Sequence, residues 1–168
     1  MSVDEICLEA RLSKGAFYGY FDSKQALLLA LLADDAAALD RIIERLGAQS
    51  VQSVSRLRRF VRAMLERGDD PARVQVRADL WAEMLTDNVV RERFTAAVRH
   101  RRTVLRAWIE RAVAEGELVE LPANAFAAVM LALGDGLGLH AGLDPSGFRW
   151  ANIRRAVDIT LERLAGRG

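Results

Sequence analysis

The chain is short of several residue types, and each shortage narrows what it can do. Among 168 residues there is one cysteine, Cys7, so neither an intramolecular disulfide nor a cysteine-built zinc site can form. The two histidines, His100 and His140, lie far apart with no ligand partners at metal spacing. His140 therefore reads as a packed or hydrogen-bonded side chain, and no metal or cofactor is expected. The excess of positive charge is only +1, with a pI near 8.0, so composition alone carries no nucleic-acid signature. No uninterrupted apolar run exceeds Ala125 to Leu133, well short of the roughly 20 residues that span a bilayer. The opening MSVDEICLEA is mixed and acidic, unlike the basic-then-apolar order of a signal peptide. No membrane partner is expected, and a reducing cytoplasm fits the cysteine count. Period-two alternation of apolar and polar residues is also missing, which argues against strands.

What is present is a helical pattern. Apolar residues make up 51% and charged residues 28%, ordinary for a globular chain long enough to bury about 70% of its extended surface. Leu28, Leu31, Leu32, Leu39, Ile42, Ile43 and Leu46 form one stripe of a long helix over 23–46. Val54, Leu57, Val61, Met64 and Leu65 mark the next helix, and Val74, Ala78, Trp81 and Leu85 a third. Val90, Phe94, Val98, Leu105, Trp108 and Ala112 mark a fourth, with two more near 123–141 and 146–165. The three prolines sit where helices start: Asp70-Pro71 and Asp144-Pro145 read as an N-cap followed by proline at the first helical position, and Pro122 opens a helix in the same way. Gly47, Gly68 and Gly116 follow periodic stretches, as expected at helix C-termini. The fold class is all-α.

One short stretch departs from this pattern. Residues 12–28 read LSKGAFYGYFDSKQALL, placing the rings of Phe17, Tyr18, Tyr20 and Phe21 beside Gly15 and Gly19 and between the chain's only two lysines, Lys14 and Lys24. Val3, Ile6, Cys7 and Ala10 give one apolar helix face. Arg11, Leu12 and Ser13 break the period, and Ser13 suits the N-cap of a second helix, with Leu12 before it as an apolar anchor. In that helix Phe17 and Phe21 can pack on the first, leaving Lys14 and Tyr18 outward on another face. Two helices joined by a three-residue turn form a helix-turn-helix, whose second helix enters the DNA major groove. Gly15 and Ala16 leave room for close approach, while Tyr18, Tyr20 and Lys24 can reach phosphates.

The stretch VDEICLEARLSKGAFYGYFDSKQALL, residues 3–28, resembles the DNA-binding region of the TetR family of transcriptional regulators. The matching features are Ile6-Cys7, the turn at Arg11, Ser13, Gly15, Tyr18-Gly19-Tyr20-Phe21 and Ser23-Lys24. EGELVELPANAFAAVMLALGDGLGLHAGLDP, residues 115–145, is similar to the family's regulatory region. The resemblance implies a helix-turn-helix region over 1–24, completed by the start of the helix at 23–46, and a regulatory, ligand-binding and dimerisation domain over 25–168. It implies a homodimer on a palindromic double-stranded operator, a repressor released by a small apolar or aromatic effector, with the helix 14–21 read into DNA. Half-sites then lie about 34–36 Å apart. The DNA-binding residues on this reading are Arg11, Ser13, Lys14, Gly15, Ala16, Tyr18, Gly19, Tyr20 and Lys24.

Three departures from the family pattern accompany this. The family carries a further helix ahead of residue 3 that packs beneath the other two, so Met1 is expected to be an internal start. Arg11 stands where a turn glycine is common, costing backbone ease but adding a possible phosphate contact. Gly19 stands where a larger, often hydrogen-bonding residue is usual. Residues 1–46 also carry more acidic than basic side chains, poor for a surface meeting phosphates.

In the remainder, Phe60, Met64, Trp81, Met84, Leu85, Phe94 and Trp108 are candidates for an effector pocket, since large rings and methionines suit apolar ligands. The alternative for each is a place in the core. Phe126, Val129, Met130, Leu133 and Leu137, with Ile153, Val157 and Leu161, are candidates for a dimer four-helix bundle. The run Gly134-Asp135-Gly136-Leu137-Gly138 lacks the lysine and hydroxyl of a phosphate loop; its small residues suit close helix contact. Arg99 to Arg102 reads as a solvated helix face. No serine–histidine–carboxylate order or cofactor loop is present, so no catalysis is expected. The competing non-enzymatic reading is a dimeric helical ligand-binding or interaction protein whose DNA-binding region does not function.

Overall fold

Serine and aspartate caps set the start of four helices. The computed structural model describes residues 2–68, 71–144 and 146–165, with side chains from 68 to 77 left out. Ser2 caps α1 (Val3–Ala10) in a capping box: its hydroxyl accepts the Glu5 N–H, and the Glu5 carboxylate accepts the Ser2 N–H. That backbone hydrogen bond holds the Glu5 carboxyl below its ordinary pKa. Ser13 accepts the Ala16 N–H at 3.0 Å to open α2 (Lys14–Tyr20). Ser23 accepts the Ala26 N–H at 3.1 Å to open α3 (Lys24–Gly47). These bonds satisfy amides that a helix start otherwise leaves unpaired.

Beyond α3 come α4 (Ser53–Gly68), α5 (Pro71–Thr86), α6 (Asn88–Ala114), α7 (Ala123–Leu143) and α8 (Trp150–Leu164). No strand interrupts these helices among the described residues. Asp87 caps α6 by accepting from Val89 and Val90, and those bonds, with one from Gln25, keep its carboxyl below the ordinary pKa. Gly116 ends α6 in the left-handed region at φ 72°, with the Glu117 N–H returning to the Ala112 carbonyl, the glycine-specific stop expected there. Pro71 is the first residue of α5 as expected, while Asp70 and Pro145 lie outside the described residues, as does the Val74 side chain.

Two helix starts differ from expectation. Pro122 takes the N-cap position, one residue ahead of α7. The last helix begins at Trp150, not near 146. Asp144 does not cap it; its carboxylate instead accepts the Gly147 N–H at 3.0 Å and the Ser146 hydroxyl at 3.1 Å.

The main core gathers Leu57, Phe60 and Met64 of α4, Leu105, Trp108 and Ile109 of α6, Met130 and Leu131 of α7, Leu161 of α8 and the C-terminal end of α3. A smaller cluster joins Leu28 and Leu32 of α3 to Leu80 and Met84 of α5 and Val90 of α6. Glycine permits close packing at Gly134 alone among the three in 134–138: a Cβ there would meet Met64 Sδ at 2.4 Å, whereas Gly136 and Gly138 face nothing within 4 Å. Arg101 also departs from the solvated-face reading, for it is buried with its guanidinium on Asp40 at 3.3 Å. Among the described helices α7 is long and apolar enough to cross a bilayer by length and composition, although its longest uninterrupted apolar run is short. In this fold it packs on α4, α5 and α6.

Candidate nucleic-acid interface and effector cavity

The helix-turn-helix rests on one ring. Phe17 is 4% exposed and packs edge-on to Tyr18 (5.2 Å between ring centres) and against Phe21 (5.9 Å). Among the described residues before Leu28, only Cys7 joins it as a buried residue. The turn is closed by Arg11 at φ 54°, the one non-glycine residue with positive φ among those described, and by the Leu12 N–H on the Cys7 carbonyl at 2.9 Å. A side chain there is strained, which is why glycine is favoured.

With Phe17 turned inward, the outer face of α2 presents Gly15, Tyr18 (55% exposed), Gly19 and Tyr20 (83% exposed). No atom lies within 4 Å of a Cβ built on Gly19, so nothing in the fold prevents a larger residue there. Ser13 is occupied as a cap, and Ala16 is half-buried. Lys14 is exposed but held by Asp4 of α1 at 2.7 Å, which raises its pKa. Both groups are about two-thirds exposed, so water and salt weaken the pair. Arg11 projects from the turn into solvent.

Lys24 sits differently from the other DNA-contact candidates. Its ammonium pairs with Glu83 of α5, and both side chains are less than a third exposed. One residue on, Gln25 donates to the Asp87 carboxylate at 2.6 Å. The start of α3, next to the helix-turn-helix, is thereby fastened to the corner between α5 and α6.

That corner lies beside a cavity of about 320 Å³ between α5, α6 and α7, lined by Trp81, Phe94, Val98, Arg102, Leu131 and Asp135 among others. A second, of similar volume, opens between α3 and α6 beside Asp35, Asp40, Phe94 and Arg101. A neck of about 30 Å³ shares residues with both, including Phe94, Asp35 and Asp135. Of the pocket candidates, Trp81 and Phe94 line the larger spaces and Met64 the neck. Phe60, Met84 and Trp108 are core residues instead, and Leu85 is 74% exposed. A ring within an apolar stripe looks the same in sequence whether it fills a core or walls a cavity. The residues that reading missed carry a legible signal: Val98 and Arg102 follow the candidate Phe94 at spacings of four on one face of α6, and Asp135 is the one charged residue of α7 apart from histidine.

The dimer candidates divide similarly. Val129 and Leu133 are exposed at 59% and 43%, while Phe126, Leu137, Ile153 and Val157 are partly covered. Met130 and Leu161 belong to the core and cannot present a surface. On α8 the outward apolar residues are Ala151, Ala156 and Ile159, because the stripe through Ile153, Val157 and Leu161 is the one turned inward.

The chain is similar to known regulators at both ends. A family model described as bacterial regulatory proteins of the tetR family matches residues 1–31, and one described as the C-terminal region of BetI-type transcriptional repressors matches 53–166. No curated protein matches. Solved structures share the fold. The MbdR regulator from Azoarcus sp. CIB superposes with a TM-score of 0.81 at 22% identity, over 96% of this chain and 86% of that one. A TetR-family regulator from Agrobacterium tumefaciens gives 0.79 at 22%, over 99% and 87%. The regulatory protein TetR from Rhodobacter sphaeroides gives 0.74 at 24%, over 98% and 88%. With one family model spanning well over half of its length and another covering the helix-turn-helix, the chain belongs to the TetR family, and is a DNA-binding transcriptional regulator, not an enzyme.

Proposed function

We propose that the protein is a ligand-responsive repressor of the cytoplasm. On this reading a homodimer holds a palindromic operator through the helix 14–21 and lets go when a small apolar or aromatic effector enters the cavity beside Trp81 and Phe94. The division falls near residue 24, with dimerisation through α7 and α8. The observation that carries the reading is the pair of links from the start of α3, Lys24 to Glu83 and Gln25 to Asp87. They bind the helix that follows the DNA-reading element to α5 and to the cap of α6, the helices that contribute Trp81 and Phe94 to the cavity. An effector that favours a different setting of α5 would favour a different placement of the reading helices, and so a different spacing in the dimer.

The test is titration of the protein onto DNA from upstream of its own gene at two salt concentrations, beside the double variant Lys14→Ala/Tyr18→Ala. The expected result is binding that weakens with salt, by a log–log slope of about 0.9 per phosphate contact, and is lost in the double variant. Salt-insensitive binding, equal in the variant, would refute it.

A second reading is favoured by the charge balance at this end. Acidic residues outnumber basic ones over 1–46, and both lysines are paired with carboxylates. A dimeric helical ligand-binding protein with a silent DNA-binding region would show those features. It predicts ligand binding and no retention on operator DNA.

A further inference from the structure

The geometry points to the chemical class of the effector: a small aromatic carboxylate, its ring among Trp81, Phe94, Val98 and Leu131 and its carboxylate on Arg102. This inference rests on the effector-cavity reading above and names what the cavity takes.

Charge on the cavity walls decides it. In the adjoining spaces Arg67 is paired with Asp35 and Arg101 with Asp40, so the charged groups on this cavity's own wall are Arg102 and Asp135. Asp135, across the cavity on α7, is also engaged within the chain. Arg102 is half-buried at the wall, and no hydrogen bond or ion pair occupies it among the described residues. A guanidinium cannot escape burial by losing its proton, so an apolar wall around it is costly unless an anion arrives. Its planar fork of donors matches a carboxylate's two oxygens. A cationic ligand would have to lie against the Arg102 guanidinium, while the Asp135 carboxylate on the same wall is already engaged.

The apolar part is equally defined. Phe94, Val98 and Arg102 lie along one face of α6, so the cation stands two turns from the ring. Trp81 and Phe94 meet edge-to-face with centres 5.7 Å apart, a pair that leaves ring surface for a third ring to pack on. A volume of about 320 Å³ lies at the small end of ligand pockets, which suits one ring with a short acid arm.

Calorimetric titration of the full chain with four probes tests this: 3-phenylpropionate, its neutral amide, 3-phenylpropylamine and hexanoate. The acid is expected to bind at least about tenfold tighter than the amide, the scale of a charge-assisted hydrogen bond, with the amine weakest and hexanoate weaker than the aromatic acid. Arg102→Gln should bring acid and amide within about twofold of each other by weakening the acid far more than the amide, while Arg102→Lys should restore part of the preference. Thermal melts of both variants would establish that they fold. Equal binding of acid and amide, tightest binding of the amine, an unchanged preference in Arg102→Gln, or no binding of any probe would each overturn the assignment. Hexanoate equal to 3-phenylpropionate would overturn its aromatic half. Operator binding measured on the same preparations separates the two readings. Salt-sensitive retention without acid binding removes the ligand class alone, and acid binding without retention removes the regulator function alone.

Discussion

The two ends of the molecule are held together by different means. Around Phe60, five helices bury leucines, methionines and rings against one another, and the side chains of Phe60, Leu105, Ile109 and Ala112 have no exposed surface. Around Phe17 the covered residues are that ring and Cys7, and Leu8, next to Cys7 on α1, is 81% exposed. The helix-turn-helix keeps its shape through caps: Ser2 with Glu5, Ser13 on Ala16, Ser23 on Ala26. A region that must present side chains to a partner cannot also bury them. Local hydrogen bonds therefore do there what packing does in the bundle.

Truncation of each central ring sharpens this contrast most. Phe60→Ala should destabilise the whole protein by about 3–5 kcal/mol, the range for a fully buried ring, seen as a drop in the thermal midpoint of the entire helical signal. Phe17→Ala, in a site with more room to collapse, should cost less and act locally. Hydrogen exchange would show α1 and α2 losing protection while α4 and α6 keep theirs. Loss of protection throughout would mean that the two ends fold as one cooperative unit.

A smaller effect is expected at the tightest contact in the bundle. Gly134→Ala places a Cβ against the Met64 side chain, which is 8% exposed and would have to turn away within the core. Overpacking of this kind costs about 1–3 kcal/mol, offset by up to about 1 kcal/mol for alanine over glycine within a helix. Chemical denaturation should give a net loss. Gly136→Ala has no such neighbour and should be neutral or stabilising, which makes it the internal control.

The same contrast explains what could be read before the structure. Eight helices were legible because caps and apolar stripes are local: Ser13, Ser23 and Pro71 each stand at the start of the expected helix. Partner faces were less legible because periodicity marks the side turned to the core. It led to Leu161 and Met130, which are buried, and passed over Ile159, which is exposed. Arg101 was hidden in a run of four basic or titratable residues, although it stands four residues before the fully buried Leu105 and so on the inward face. Lys24 read as a phosphate contact because its partner, Glu83, comes from a helix remote in sequence. Asp144 with Pro145 had the residue types of an N-cap, but its oxygen was taken by Gly147 and Ser146.

Removal of the α2 cap tests the local side of the comparison. Ser13→Ala leaves the Ala16 N–H without its 3.0 Å acceptor, at a cost of about 1 kcal/mol. Local exchange near Lys14–Tyr20 should speed up with the bundle melt unchanged. DNA affinity should fall with it, because the reading helix must form before it can dock.

The smallest change should separate stability from binding. Arg11 occupies a left-handed conformation at φ 54°, which costs a side-chain-bearing residue about 1–2 kcal/mol relative to glycine. Glycine recovers that strain but gains freedom in the unfolded chain worth about 0.5–1 kcal/mol. Arg11→Gly should therefore raise stability by no more than about 1.5 kcal/mol, read in the exchange of α1 and α2. If Arg11 also meets a phosphate, the same variant should bind operator less tightly, with a salt slope reduced by about 0.9. A stabilised helix-turn-helix that binds more weakly would place arginine there for DNA at the expense of the turn. Stabilisation with unchanged slope would leave Arg11 as strain without a DNA role, and move the burden of phosphate contact to Tyr18, Tyr20 and a Lys14 released from Asp4.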